Sequence, residues 1–236
     1  SYQEENISDS FNKAREIIDL VLELSVFENN ITVENFNINS KNIFIGQNYL
    51  ANFLKIVVSI IPNVALICQT IPNNIDEHIW KEKLKKFTKE RAYLWPNHLH
   101  AINSGYLNKG ISSVISFPTG GGKSTLSELK ILVSLISNEP IVFIVPTLAL
   151  VDQVTNTLRE IFPESRVNSI YEMFSNSNEE EMTLPNISVM TPESCLVKMN
   201  FNPELFSNLG LFIFDECHLL NPKLTNSMDR RSVDAI

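Results

Sequence analysis

Residues 118 to 124 read Pro118-Thr119-Gly120-Gly121-Gly122-Lys123-Ser124 and follow directly on the apolar run Ile111 to Phe117. Three consecutive glycines let the backbone turn with no side chain between its N–H groups and an anion, so several amides can converge on one phosphate. Lys123 adds a positive charge aimed at the outer phosphates, and Ser124 places a hydroxyl where Mg2+ would sit. A helix starting at this point directs its positive dipole end at the same anion. One position departs from the general G-x-x-x-x-G-K-[ST] pattern, whose first glycine falls on Phe117. The plain alternative is a glycine-rich turn without function; the strand, loop and helix order weighs against it.

About ninety residues further on, Asp215-Glu216-Cys217-His218 follows a second strand-like run, Leu211 to Phe214. At the carboxyl end of a strand Asp215 can hold Mg2+, directly or through water, while Glu216 can orient and deprotonate an attacking water. An acidic pair at a strand end is an ordinary solvated feature by itself; the glycine loop ahead of it gives it meaning. His218 either links this site to nucleic acid or a partner domain, or is structural.

Together the two segments resemble motifs I and II of a superfamily II DExH-box helicase. Pro146-Thr147-Leu148-Ala149-Leu150-Val151-Asp152-Gln153 resembles motif Ia, and Thr191-Pro192-Glu193 the T-P-E element, in the family's order. Thr125-Leu126-Ser127-Glu128 and Leu94-Trp95-Pro96 look most like the Ski-like branch and its archaeal repair-helicase relatives, although RecQ helicases also carry P-T-G-G-G-K-S. The resemblance implies ATP and Mg2+ as cofactors. It implies that Thr119, Gly120, Gly121, Gly122, Lys123, Ser124 and Thr125 hold the nucleotide, Ser124 and Asp215 the metal, and that Lys123 and Glu216 are catalytic. It implies further that Thr147, Thr191 and Pro192 line a nucleic-acid groove and that His218 couples the two sites. The Thr hydroxyls and helix-start amides suit phosphate oxygens, a contact that does not read bases. Where the family's adenine-reading motif places Gln, this chain has His98. An imidazole offers a donor and an acceptor together in one tautomer only, which puts base selectivity in question.

These residues need a scaffold. After Arg91 the runs Ile111 to Phe117, Ile141 to Val145, Ile187 to Met190 and Leu211 to Phe214 alternate with helical stretches. The alternation predicts an α/β fold, a RecA-like P-loop domain over 91–236 with a central parallel sheet covered by helices on both faces. Every motif then falls at a strand's carboxyl end, where open parallel sheets bind ligands. Ser175 to Glu181 is polar and acidic and reads as a surface loop. Residues 1–90 read as a mainly helical region. Phe11, Ala14, Ile18, Val21 and Ser25 recur at helical spacing, as do Trp80, Leu84, Phe87 and Arg91. Ile31 to Ile45 reads as a loop or a short strand pair. Tyr49 to Ile71 is long enough to raise a membrane span, but Lys55 near its centre and Pro62 argue instead for two core helices.

The 236 residues are 44% hydrophobic, enough for a substantial core. Cys68, Cys195 and Cys217 are widely spaced and odd in number, which suggests neither a disulfide framework nor a zinc ribbon and fits a reducing, cytoplasmic setting. No leader pattern is visible, and Ser at position 1 suggests a trimmed chain. A net charge of −8 gives no global positive field, so affinity for nucleic acid must be local. The basic run Lys81, Lys83, Lys85, Lys86, Lys89 and Arg91 is such a locus, or else a solvated helix face with Glu82 and Glu90 interspersed.

The expected activity is that of an ATP-driven helicase or translocase, with DNA favoured over RNA as partner and no membrane. The competing expectation is an ATP-dependent sensor or clamp that recruits an effector protein, such as a nuclease in bacterial anti-phage defence. A third reading, a P-loop kinase or small-molecule ATPase, does not explain the motif Ia and T-P-E segments. A second RecA-like domain with its arginine finger is expected beyond Ile236, so these residues alone should bind nucleotide weakly and hydrolyse it poorly.

Overall fold

The computed structural model describes residues 2–33, 36–118, 120–175 and 183–216. The chain forms two compact units, Ser1–Thr70 with Leu84–Leu99, and Ile71–Lys83 with His100–Ile236.

In the first unit helix α1 (Tyr2–Leu24) leads into a hairpin of β1 (Val26–Val33) and β2 (Phe36–Ile43), and then α2 (Ile45–Val64). The strands pair antiparallel from Val26 opposite Ile43 to Val33 opposite Phe36, so a strand pair rather than a loop forms, but it begins at Val26, five residues ahead of the expected Ile31. Ser25 locks the junction: its hydroxyl donates to Leu22 O at 2.7 Å and accepts from Asn48 Nδ2 at 2.8 Å. The run from Tyr49 does not make two core helices. A single helix continues through Pro62 to Val64, followed by a short 3-10 turn at Leu66–Cys68. Pro62 sits in the final turn, where its missing N–H breaks one bond only, and Ala65 N–H still reaches Ile61 O at 2.8 Å. Nor is α2 a core element: Ala51 is buried, but Ile45 and Tyr49 are 79% and 77% exposed. No helix among the described residues is long and apolar enough to cross a membrane. Helices α3 (Glu77–Thr88) and α4 (Pro96–Asn103) each contribute residues to both units, and Trp80 and Leu84 of α3 are buried as their spacing predicts.

The second unit is the α/β part. After α5 (Lys123–Ile136) come β3 (Ile141–Ile144), α6 (Leu148–Ile161), β4 (Val167–Ser169), α7 (Ile170–Ser175), β5 (Ile187–Met190), α8 (Pro192–Phe201) and β6 (Leu211–Phe214). The strands form one parallel sheet in the order β4-β5-β3-β6. From β3 the chain moves through α6 to one side, and from β5 it crosses through α8 to the other. Right-handed crossovers in opposite directions put these helices on opposite faces. Accordingly every residue of β3 and β5 is buried. Val151, Thr155 and Leu158 form the buried stripe of α6. At its end Arg159 donates to Val167 O at 2.8 Å and to Glu172 at 2.6 Å, and the guanidinium holds the Glu172 carboxyl below its ordinary range.

Two differences from the sequence reading concern strands. The short β4 was not foreseen, since Val167-Asn168-Ser169 has a single apolar residue. Conversely, Ile111 to Phe117 forms no strand: the segment is without ladder pairing, and Val114 is 85% exposed. A strand requires a bonded neighbour, and the outer side of β6 faces a groove there. The polar residues 176–181 of the expected surface loop lie outside the described residues.

Candidate active site

The parallel register brings the motif segments to one edge. Ile144 lies opposite Met190 on one side and Phe214 on the other, so the next residues, Val145, Thr191 and Asp215, emerge side by side. The alignment continues past the strands, with Val145 N–H bonded to Met190 O and Asp215 N–H to Ile144 O, both at 3.0 Å. A groove opens beside β6, whose residues Leu211 to Phe214 line it.

The glycine loop turns as its composition demands. Gly120 and Gly122 adopt φ of 78° and 79°, the left-handed region closed to most side chains. A Cβ on Gly121 would stand 2.9 Å from both Phe117 Cβ and Pro118 O, so no other residue fits there. Gly122 is the N-cap of α5, which makes Lys123 and Ser124 its first residues; both are exposed, in a turn where helical bonding leaves N–H donors open. Thr125 N–H closes on Gly122 O at 3.1 Å. Thr119 lies outside the described residues.

Across the groove Asp215 and Glu216 are exposed at the end of β6. Asp215 Oδ1 accepts the Glu216 N–H at 3.0 Å, and Glu216 takes φ of 56°, a strained angle for a residue with a side chain. The groove, of about 660 Å³, is lined by Lys123, Asp215 and Glu216, among others. A lysine, two carboxylates and open helix-start amides fit a phosphate chain with a hard cation. Lys123, Ser124 and the glycine loop would hold the phosphates, and Asp215 with Ser124 the metal. Among the described residues no group of three or more His, Cys, Asp or Glu side chains forms a self-sufficient metal site.

The other edge residues differ in what their side chains do. Thr147 is the N-cap of α6, half-buried, and makes no capping bond with its hydroxyl. Thr191, the N-cap of α8, is buried; its Oγ1 accepts the Ser194 N–H at 3.4 Å and donates to Ser194 Oγ at 3.1 Å. Pro192 beside it is buried as well. His98 belongs to the first unit, is 3% exposed, and accepts the Trp95 N–H at Nδ1 over 3.4 Å. Cys217 and His218 lie outside the described residues, as does the coupling role assigned to His218. Of the basic run, Lys81 pairs with Glu77 at 2.7 Å and Lys83 with Glu164 at 2.6 Å. Cys68 and Cys195 are free thiols.

The sequence reading missed the walls of the groove. Lys130 of α5 is buried and lines it, as do Lys109 and Glu139, which form an ion pair at 2.7 Å. Gly210 at its far end approaches Glu139 so closely that a Cβ would meet Glu139 Cβ at 2.3 Å. The spacing of Lys123, Ser127, Lys130 and Ser134 along one helix face was the signal available.

This fold is a parallel α/β domain of the RecA-like kind. Residues 95–232, more than half of the chain, match the DEAD/DEAH box helicase family, and the chain belongs to it. It is 25% identical over 133 residues to the ATP-dependent DNA helicase Hel308 of Methanococcus vannielii, covering 54% of this chain and 18% of that protein. Among solved structures the DUF1998 helicase MrfA is similar over 64% of this chain and 25% of that one, with 22% identity and a TM-score of 0.45. The chain thus spans less than a fifth of the curated relative and a quarter of the crystallised one.

Proposed function

We propose that this chain is the ATP-binding lobe of an ATP-dependent nucleic-acid translocase or helicase. The observation that carries the reading is that Lys123, Asp215 and Glu216 line one groove. Lys123 and the amides at the start of α5 would hold the outer phosphates, Asp215 and Ser124 would hold the metal, and Glu216 would accept a proton from a water placed beside it. Bound MgATP supplies the phosphoryl group whose transfer to water drives the cycle. On the same edge Thr147 presents a hydroxyl with no capping duty, which could contact a strand's phosphate oxygens, so strand binding should be sequence-independent. Alternating affinity at the two sites, as this lobe closes on a second one and reopens, converts hydrolysis into steps.

DNA is the favoured strand, in keeping with the DNA helicase named above, and the Ski-like branch is favoured on Thr125-Leu126-Ser127-Glu128 and Leu94-Trp95-Pro96 alone. A cytoplasmic defence protein that clamps nucleic acid and recruits an effector, without unwinding, would use the same groove. Lys123→Ala and Glu216→Gln in the complete protein should each lower nucleic-acid-stimulated ATP hydrolysis by at least about a hundredfold. Full activity in either variant refutes the proposal. Strand displacement on 3′-tailed, 5′-tailed and blunt DNA and RNA then separates the readings: displacement with polarity supports a helicase, whereas stimulated hydrolysis without displacement supports the clamp.

A further inference from the structure

The segment that feeds the phosphate loop, Ile111 to Phe117, makes no ladder bonds, so something else must set where it runs. Upstream, α4 ends in a left-handed Gly105 with φ of 82°; Tyr106 N–H reaches back to Ala101 O at 3.1 Å and Gly105 N–H to Ile102 O at 2.9 Å. This double closure turns the chain towards α5. There the buried ammonium of Lys130 donates to Tyr106 O at 2.8 Å and Asn108 O at 2.6 Å, and lies 5.5 Å from the centre of the Tyr106 ring. The next residue, Lys109, is tied to Glu139. Asn108 Oδ1 in turn accepts the Asn73 N–H at 3.1 Å.

We propose that Lys130 is a positioning residue for the nucleotide, acting through the backbone of residues 106–108 rather than touching the ligand. The inference rests on the nucleotide reading of the groove. Lys123 and Lys130 lie two turns apart on one face of α5, and both line the groove. The excursion from Asn108 through the glycine loop to Lys123 therefore leaves and rejoins a single rigid helix. Fixing both ends limits the conformations that the phosphate loop must give up when it closes on a ligand. A buried ammonium is an expensive way to fill space, since burial opposes its charge and lowers its pKa. An ammonium can, however, satisfy two main-chain carbonyls together, which an aliphatic side chain on this face cannot.

The test uses the complete protein and MgATP, with affinity read by equilibrium titration and turnover by steady-state kinetics. Lys130→Met should weaken ATP binding and raise KM by about tenfold, with kcat at saturation within about twofold and faster amide exchange across residues 109–117. Lys130→Arg, which keeps a double donor, should recover most of the affinity. Unchanged ATP affinity in Lys130→Met, or a fall in kcat at constant KM, overturns the proposal. If that variant does not fold, Glu139→Gln decides: loosening the adjacent anchor should weaken binding by about two- to threefold, and wild-type affinity overturns the proposal. Should the wild-type protein show no ATP binding that Lys123→Ala removes, the nucleotide reading itself falls, whatever Lys130 does.

Discussion

The two halves of the sheet's carboxyl edge are built on opposite terms. Towards β6, Lys123, Ser124, Asp215 and Glu216 are exposed, β6 itself is only half-buried, and the glycine loop is held by turns rather than by a sheet ladder. Towards β5, Thr191 and Pro192 are buried, and the Thr191 hydroxyl is engaged by its own helix. Thr147 stands between them, a helix cap by position whose hydroxyl makes no capping bond. Residues of the same type at equivalent strand ends therefore serve different ends. One side of the edge buries its polar groups within the fold, and the other carries them at the surface.

The strongest challenge to this contrast is alkaline titration, because each half buries one group that resists ionisation. Burial pushes the Cys195 thiol on α8 from 9.0 up to about 11, and the Tyr106 phenol in the groove wall from 10.0 up to about 12. Both folded pKa values lie above the unfolded ones. Stability from Cys195 is thus complete below pH 9 and lost by about 11, and that from Tyr106 is complete below pH 10 and lost by about 12. Each loss, reduced by solvent screening, is on the order of 1–2 kcal/mol. Urea unfolding at pH 8, 10 and 11 should show the earlier loss, and Cys195→Ala should remove it; an unaltered pH profile in that variant would contradict the burial argument.

A smaller effect is expected for Thr191→Ala, which should cost about 1 kcal/mol of stability through the lost cap. If Thr191 works only for the fold, strand affinity measured at saturating nucleotide stays at the wild-type value. Smallest in stability is Thr147→Ala, within about 0.5 kcal/mol, since no capping bond is removed. Its effect should instead appear as a severalfold weaker, sequence-independent affinity for single strands in a salt titration. Reversed outcomes for the two threonines would erase the distinction between the halves.

Much of this edge was legible because its motifs combine residue type with backbone demand. Three glycines before Lys-Ser specify a loop, and Leu-Phe-Ile-Phe before Asp-Glu specifies a strand that ends on charge. Three of the four expected strands formed at their runs, within a residue. Ile111 to Phe117 did not, because apolar content records a wish for burial while a strand is granted by its neighbour. Pairwise facts were equally out of reach. Nothing in the residue types shows that Lys130 finds two carbonyls, or that Thr191 and Thr147 differ, since each depends on partners set by the turn. The N-terminal unit misled most where hydrophobicity was highest: the pattern of α2 promised core, and most of its large apolar residues are exposed.

Glu216 carries a backbone angle that glycine would adopt freely, and the Asp215 carboxylate helps to hold it there. A screen that rewards only thermal endurance would therefore favour discarding this glutamate. The proposed base would be traded for a more relaxed chain, and heat resistance and turnover would be set against each other at one residue.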